Sequence, residues 1–505
     1  MDQAPKTRLV IVGGGTAGWI AAAAVSKLLG HAVDAHLIES DEIGTVGVGE
    51  ATIPQIRRLN AVLGLDEDAF VRDTNGSFKL GIEFRDWGAI GETYLHSFGE
   101  VGMSLRGVAF HHYWLRARAA GEAAPLMAHS LHRHAADRGA FGRMERVGGT
   151  SMAGLAYAYH FDSSLYARLL RRVAEANGVR RTEGQVAEVR RDALSGDVTG
   201  VLLRSGVLVE GDLFLDCTGF RALLLGQALG VGYEDWSRWL PCDRALAVPS
   251  ARLDPLPPYT RATAGTAGWR WRIPLQHRTG NGHVYSSAYL SDDEATAQLL
   301  GGLEGEALAD PRPIRFTTGR RERFWDRNVV GLGLASGFLE PLESTSIHLI
   351  QSHVNRLVSL FPTTGDHAAA RDEYNHQCSV EMAQVRDFIV LHYHLTRRDD
   401  TPFWNDCREM PVPERLSRAM RLFAETGRIV REPDDLFREA SWLMVMHGQG
   451  IEPRGHSPMA DALPEDQLAE FLANVRTLCA QAAGSLPSHE AFLARHAAAP
   501  ILAAE

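Results

Sequence analysis

Arg8-Leu-Val-Ile-Val-Gly-Gly-Gly-Thr-Ala-Gly-Trp19 decides the fold. Leu9–Val12 is an unbroken apolar run, the pattern of a parallel strand covered on both faces. The glycines at 13, 15 and 18 follow in G-x-G-x-x-G order. Gly13 allows the tight turn, Gly15 lets backbone approach a pyrophosphate, and Gly18 lets helix and strand pack closely. Trp19–Leu29 then reads as a buried helix stopped by Gly30, and Ala35–Glu39 as the second strand. Glu39 stands about twenty residues beyond the glycines, where a carboxylate can hold ribose hydroxyls. Strand, turn, helix, strand and terminal acid in register predict an α/β, doubly wound dinucleotide-binding domain. This unit by itself leaves FAD and NAD both open.

The surrounding composition is ordinary. The chain has 505 residues, 45% hydrophobic and 23% charged, enough for two to three domains and a large core. With 52 basic and 62 acidic residues the net charge is −10, and no long basic run offsets it, which argues against nucleic acid. No segment reaches the roughly 18 apolar residues of a membrane span. The strand at Leu9 begins too early for a signal peptide to precede it. Cys217, Cys242, Cys378, Cys407 and Cys479 are scattered and lack C-x-x-C spacing. A reducing, cytoplasmic setting without zinc is expected.

Along the chain, Thr45–Pro54 reads as a cofactor-facing glycine loop, and Pro54 as the start of a helix ended by Gly64. Lys79 lies in Phe78–Phe84, predicted as one strand; a lone lysine is ordinarily a surface residue, though this one has apolar flanks. His111 and His112 sit in an aromatic-rich stretch, 93–114. Being adjacent, their side chains are expected to diverge, which favours core or pocket wall over a metal. Asp162 caps a helix through Ala176, and Leu213–Phe220 is a third buried strand closing on glycine. Residues 240–330 are strand-rich and include Trp269-Arg-Trp-Arg-Ile-Pro274, whose two tryptophans share one strand face. Glu340-Pro-Leu-Glu-Ser-Thr-Ser-Ile-His-Leu-Ile350 reads as a turn running into a helix, with Ser344, Thr345 and Ser346 as cap candidates. Helices dominate from there on. The expected divisions are 1–90, 156–240 and 331–360 for the cofactor, and 91–155, 241–330 and 361–505 for substrate.

These pieces together resemble the flavin-dependent halogenases of the tryptophan-halogenase type. The match runs through Gly13–Gly18, Gly47-Val-Gly-Glu-Ala-Thr-Ile-Pro54, Lys79 before Leu-Gly-Ile-Glu-Phe84, Trp269–Pro274 and Gly337–Thr345, in family order. The Trp-x-Trp-x-Ile-Pro element, Trp269, Trp271, Ile273 and Pro274, is the specific one. The resemblance implies that reduced FAD (FADH2), supplied by a separate flavin reductase acting as a transient partner, turns O2 and chloride or bromide into hypohalous acid. Lys79 holds the halogen, and Glu343 positions it and accepts the ring proton. Halide sits at the backbone of Thr345 and Ser346. Cofactor contacts fall to Gly13, Gly15, Thr16, Ala17, Gly18, Glu39, Gly49, Ala51, Val186, Leu334 and Ile347.

Two departures matter. Ser346 stands where tryptophan-specific members usually carry glycine, and no tyrosine pair holds an amino-acid moiety: Ser441-Trp442 occupies that neighbourhood, with Trp442 as a pocket residue. The indole-sandwiching Phe and His are unmatched at Val101-Gly-Met103. Expectation therefore shifts from free tryptophan toward a less decorated indole, another small aromatic, or a larger or carrier-tethered ring. A homodimer is left open. The competing expectations are an FAD-dependent aromatic monooxygenase (hydroxylase or epoxidase), against which Trp269–Pro274 and the Lys79/Glu343 pair argue, and a non-enzymatic flavin-binding sensor or assembly protein, against which the presence of all the chemical residues argues.

Overall fold

The computed structural model describes residues 6–42, 49–362, 367–432 and 434–500. Residues 45–48 of the glycine loop, Gly47 among them, lie outside the described residues. The chain divides into two compact units. The first is built from 1–75, 161–238 and 315–383, the second from 76–160, 239–314 and 384–505.

The first unit holds a six-stranded sheet. Its order is Trp325–Asp326, Val329–Gly331, Leu213–Asp216, Thr7–Val12, Val33–Glu39 and Arg180–Glu183. All neighbours run parallel except the first pair, a short antiparallel hairpin. Leu9–Val12 lies centrally and is buried on both faces, as its apolar run requires. The crossover helix begins earlier than expected, at Thr16 rather than Trp19, so the last residues of the glycine motif already form its first turn. Its Ala21–Ala24 run is buried and lets the helix lie close to its neighbours Ser163–Ala176 and Ser346–Ser359. Asp162 caps the former through Ser164 and Leu165, as predicted. Pro54 does not open the next helix. Ile56–Leu63 starts two residues later, after a tight turn in which Arg57 N–H reaches Pro54 O, and Gly64 closes it in the left-handed region. Val10, Ile38, Phe214 and Val329 form one core with Val201 and Leu203 of a three-stranded antiparallel sheet, and Val186 packs on its edge.

The second unit is organised by a seven-stranded sheet in the order Arg312–Arg315, Arg244–Ser250, Thr279–Tyr285, Gly268–Pro274, Thr260–Ala264, Gly81–Arg85, Thr93–Ser97. Thr260–Ala264 runs parallel to Gly81–Arg85, while the pairings from Arg244–Ser250 to Thr260–Ala264 are antiparallel. The single strand predicted at Phe78–Phe84 is in fact two. Ser77–Lys79 pairs with Ala158–Phe161, and Gly81–Arg85 joins the large sheet. Leu80 is the hinge: its N–H donates to Pro258 O and its carbonyl accepts from Phe98 N–H. Both backbone groups are thus satisfied although the residue belongs to neither strand. Among the described residues no helix is long and apolar enough to cross a membrane.

Candidate active site

The glycine turn of the first unit has the geometry of a phosphate cradle. Gly13 takes φ +111°, and a Cβ there would lie 2.3 Å from the Cys217 carbonyl; a Cβ on Gly18 would lie 1.9 Å from the Gly13 carbonyl. Around Gly15 a Cβ would meet nothing within 4 Å, so its backbone faces open space. Gly15 is also the N-cap, with no side-chain capping bond and no acid in the first helical turn. That leaves the positive helix end suited to an anion. Glu39 ends its strand with the carboxylate accepting from Trp19 Nε1 at 3.1 Å and Arg181 Nε at 2.5 Å. Any side chain on Gly14 would collide with it, a constraint that the third consecutive glycine could have signalled. Gly333 lies against Ala17 and Ile350, and Leu334, next to it in sequence, is 39% exposed. Gly49 is buried at φ +78° before Glu50–Ala51. Burial, aided by the Asp162 charge, pushes the Glu50 carboxyl up to about 7. A glycine cradle, an uncapped helix start and a strand-end acid fit a dinucleotide.

In the same unit Pro341–Glu343 forms a single tight turn and Ser344 follows in the left-handed region at φ +58°. For a non-glycine residue that conformation costs about 1 kcal/mol or more. The Ser346–Ser359 helix begins at once. The expected side-chain cap is not there: Thr345 occupies the N-cap position with a helical backbone and no capping bond from its side chain. Glu343 and Thr345 are buried, Ser346 half-buried, and Ile347 faces the core. The helix is anchored from its flank. Glu381 accepts from His348 Nε2 at 3.1 Å, Ser352 Oγ at 2.6 Å and Arg356 Nη1 at 2.5 Å. Burial raises the Glu381 carboxyl, but His348 and Arg356 outweigh it and hold the group well below the usual carboxylate range.

Lys79, in the second unit, is 0% exposed. Its Nζ lies 5.1 Å from the Phe98 ring centroid, within cation–π range. Ser77, on the same strand face, donates to Pro274 O at 2.6 Å and contacts His160 Nδ1 at 2.9 Å. The serine proton being committed to Pro274, His160 donates from Nδ1 and accepts at Nε2 from Thr260 Oγ1, at 2.9 Å. Burial, then the nearby Lys79 charge, drives this imidazole well below its ordinary value. Trp269 and Trp271 do share a strand face, with ring centroids 6.1 Å apart. Trp271 lies over Gly282, its cross-strand partner, where a Cβ would meet the indole at 2.0 Å. Ile273 and Pro274 complete this buried edge.

A cavity of about 230 Å³ opens in the same unit. Residues 100–104, then Glu439, Ala440 and Leu443, and Phe110, His111 and His132 are among those that line it. Val101, Gly102 and Met103 thus share one space with residues that flank Ser441-Trp442 in sequence. Gly102 makes the wall possible: it takes φ +67°, and a Cβ would meet the Phe110 ring at 2.1 Å. Lys79 is not itself among the lining residues; two short links along the chain lead from it to this wall. Phe98, under its ammonium, is two residues from Glu100, and His132 Nε2 bonds the backbone of Ala156, two residues from Ala158, the cross-strand partner of Lys79. Trp442, expected in the pocket, is not among the lining residues. Its helix turns it inward against Phe388, centroids 5.0 Å apart, and presents Glu439, Ala440 and Leu443 to the cavity instead. Nor do the adjacent histidines diverge: the rings of His111 and His112 lie 4.2 Å apart. His111 lines the cavity, as the pocket-wall reading of its stretch expects, whereas Glu100, His132 and Glu439 were not singled out by sequence. Only the i, i+1, i+4 spacing of Glu439, Ala440 and Leu443 could have hinted at a shared face.

The sequence model of the family described as tryptophan halogenase matches residues 8–465. Among solved structures, the chain is similar to Xcc4156, a flavin-dependent halogenase from Xanthomonas campestris, at 50% identity and TM-score 0.95, covering 98% of this chain and 99% of that one. It is also similar to BrvH, a flavin-dependent halogenase from Brevundimonas sp. BAL3, at 47% identity and TM-score 0.93, with 98% and 99% covered. Tryptophan 6-halogenase SttH of Streptomyces toxytricini is 38% identical over 444 residues, 83% of this chain and 84% of that protein.

Proposed function

Because the chain belongs to the tryptophan halogenase family, and is therefore an FADH2-dependent halogenase, we propose that it installs chlorine or bromine on an electron-rich, indole-type aromatic ring. The observation that carries this reading is Lys79, fully buried and fastened through Ser77 of its own strand to the Trp269–Pro274 element, in the unit that also holds a cavity of suitable size. An apolar cavity of about 150 Å³ takes up benzene, so one of about 230 Å³ suits a fused bicyclic ring.

Bound FAD, delivered reduced by a separate flavin reductase, supplies the two-electron chemistry by which O2 and halide become hypohalous acid. The rest is work for this chain's own residues. Gly15 presents backbone to the pyrophosphate, Gly13 and Gly18 allow the turn and the close packing that put it there, and Glu39 takes the ribose. Thr16, Ala17, Gly49, Ala51, Val186, Leu334 and Ile347 complete the cofactor contacts. The backbone N–H groups of Thr345 and Ser346 hold the halide at an uncapped helix start. Lys79 and Glu343 carry the halogen chemistry. Lys79 donates a hydrogen bond to hypohalous acid, or as an amine takes up the halogen, which separates forming the oxidant from spending it. Glu343 stabilises the cationic ring intermediate and accepts its proton. Trp269 and Trp271, packed rigidly in the sheet, keep substrate away from the flavin.

The test is an assay with indole, flavin reductase, FAD, NADH and either bromide or chloride, read by product mass. A halogen-for-hydrogen mass gain is expected. Added oxygen and never halogen, across several arenes, would instead establish the monooxygenase alternative.

A further inference from the structure

The cavity's polar wall carries acceptors and no cation. Among the described lining residues the charged ones are Glu100 and Glu439, and no lysine or arginine lines the space. His111 adds to this wall. Its Nε2 is 2.8 Å from the Gly427 carbonyl, so that nitrogen bears the proton and Nδ1 carries a lone pair. Nδ1 lies 3.6 Å from Glu439 Oε1. Two acceptors therefore face one another with no hydrogen between them. Burial lowers the His111 imidazole, which keeps it neutral near pH 7. Burial first, then the Glu100 charge, raises the Glu439 carboxyl, while exposed Arg431 only partly offsets them. His132, 1% exposed and lining the same cavity, has an Nδ1 with no hydrogen-bond partner among the described residues.

Such a wall is completed by a group with several donors and a positive charge. An ammonium has three donors and no acceptor. It would fit between Glu439, His111 and Glu100, whereas a carboxylate there would meet like charge and lone pairs in a partly desolvated space. We infer that the Glu100–His111–Glu439 wall selects aromatic substrates bearing a protonated amine and turns away rings bearing a carboxylate. The inference rests on the proposed halogenase reading, whose ring occupies this cavity. It extends that reading to the substituent.

The test is binding of tryptamine, indole and indole-3-propionate to the full chain by isothermal titration, together with their halogenation kcat/KM. Tryptamine is expected to bind at least about tenfold more tightly than indole-3-propionate at low salt. That gap should narrow as ionic strength rises. In Glu100→Gln/Glu439→Gln it is expected to fall to about threefold or less. Glu100→Gln alone, at an exposed side chain, should narrow it in a chain whose thermal melt matches wild type. Equal binding of the two ligands to wild type, or an undiminished gap in folded variants, overturns the inference. If wild type prefers tryptamine yet halogenates no arene, indole included, the charge selection stands and the halogenase reading falls.

Discussion

Ser77 donates a 2.6 Å hydrogen bond to the carbonyl of Pro274, fastening the strand that carries Lys79 to the last residue of the Trp269–Pro274 strand. Ser77→Ala removes that donor and also strands the buried Nδ1–H of His160. The expected loss is about 1–3 kcal/mol of stability, the cost of unpaired buried groups, read from the midpoint of urea unfolding. A variant as stable as wild type would show the bond to be idle.

Lys79 has a sharper expectation. Lys79→Ala should abolish ring halogenation while hypohalous acid, captured by a reactive trap in solution, still forms. Full ring halogenation in the variant would remove Lys79 from the chemistry.

Gly18 packs its Cα onto the Gly13 carbonyl, and a Cβ would lie 1.9 Å from that rigid oxygen. Gly18→Ala is therefore expected to weaken FAD binding by about tenfold to a hundredfold, the scale of overpacking a tight contact. Flavin fluorescence titration measures it.

Glu50 titrates near 7 in the fold against an ordinary value of 4.5. The folded chain binds this proton more tightly than the unfolded chain does. Its contribution is fully present below pH 4.5 and lost as pH rises through 7, up to about 3 kcal/mol. Glu50→Gln should raise the melting temperature at pH 8 and lose that advantage by pH 4.5. A constant difference across the range would contradict the assignment.

Five histidines act in the opposite sense. Burial is the main cause holding His112, His132, His283, His353 and His489 near 4, against an ordinary 6.5. The unfolded chain takes these protons first, so stability is full above pH 6.5 and falls as pH drops toward 4. At about 1.4 kcal/mol per pH unit for each group, the five together rival a whole domain's stability of about 5–15 kcal/mol. Cooperative acid unfolding near pH 5 is expected by circular dichroism. A native spectrum at pH 4 would refute the assignment.

The doubly wound sheet was legible because Leu9–Val12, the glycines and Glu39 are consecutive, and local pattern suffices for a local unit. Lys79 was harder. Its burial depends on Phe98, on Ala158 and on a strand break at Leu80, none of which a lysine among apolar neighbours reveals. The cavity wall was illegible as such. Glu100 and Glu439 are more than three hundred positions apart, and each alone resembles a solvated acid. Trp442 was placed on the pocket side because its neighbourhood suggested it, but helical phase turned that ring to Phe388 and Glu439 to the cavity. The uncapped start at Thr345 was hidden by three good capping residues in a row; a left-handed Ser344 sets the entry angle, and no propensity scale foretells it.

The polypeptide passes between its two units five times. Thr7–Val12 leaves the ribosome first, yet its sheet is not complete until Val329–Gly331 has been translated. Neither unit exists as a continuous stretch of gene. A premature stop anywhere before residue 331 leaves the central sheet short of strands, and one just after residue 383 keeps every segment of the first unit while removing Glu439, Ala440 and Leu443 from the cavity.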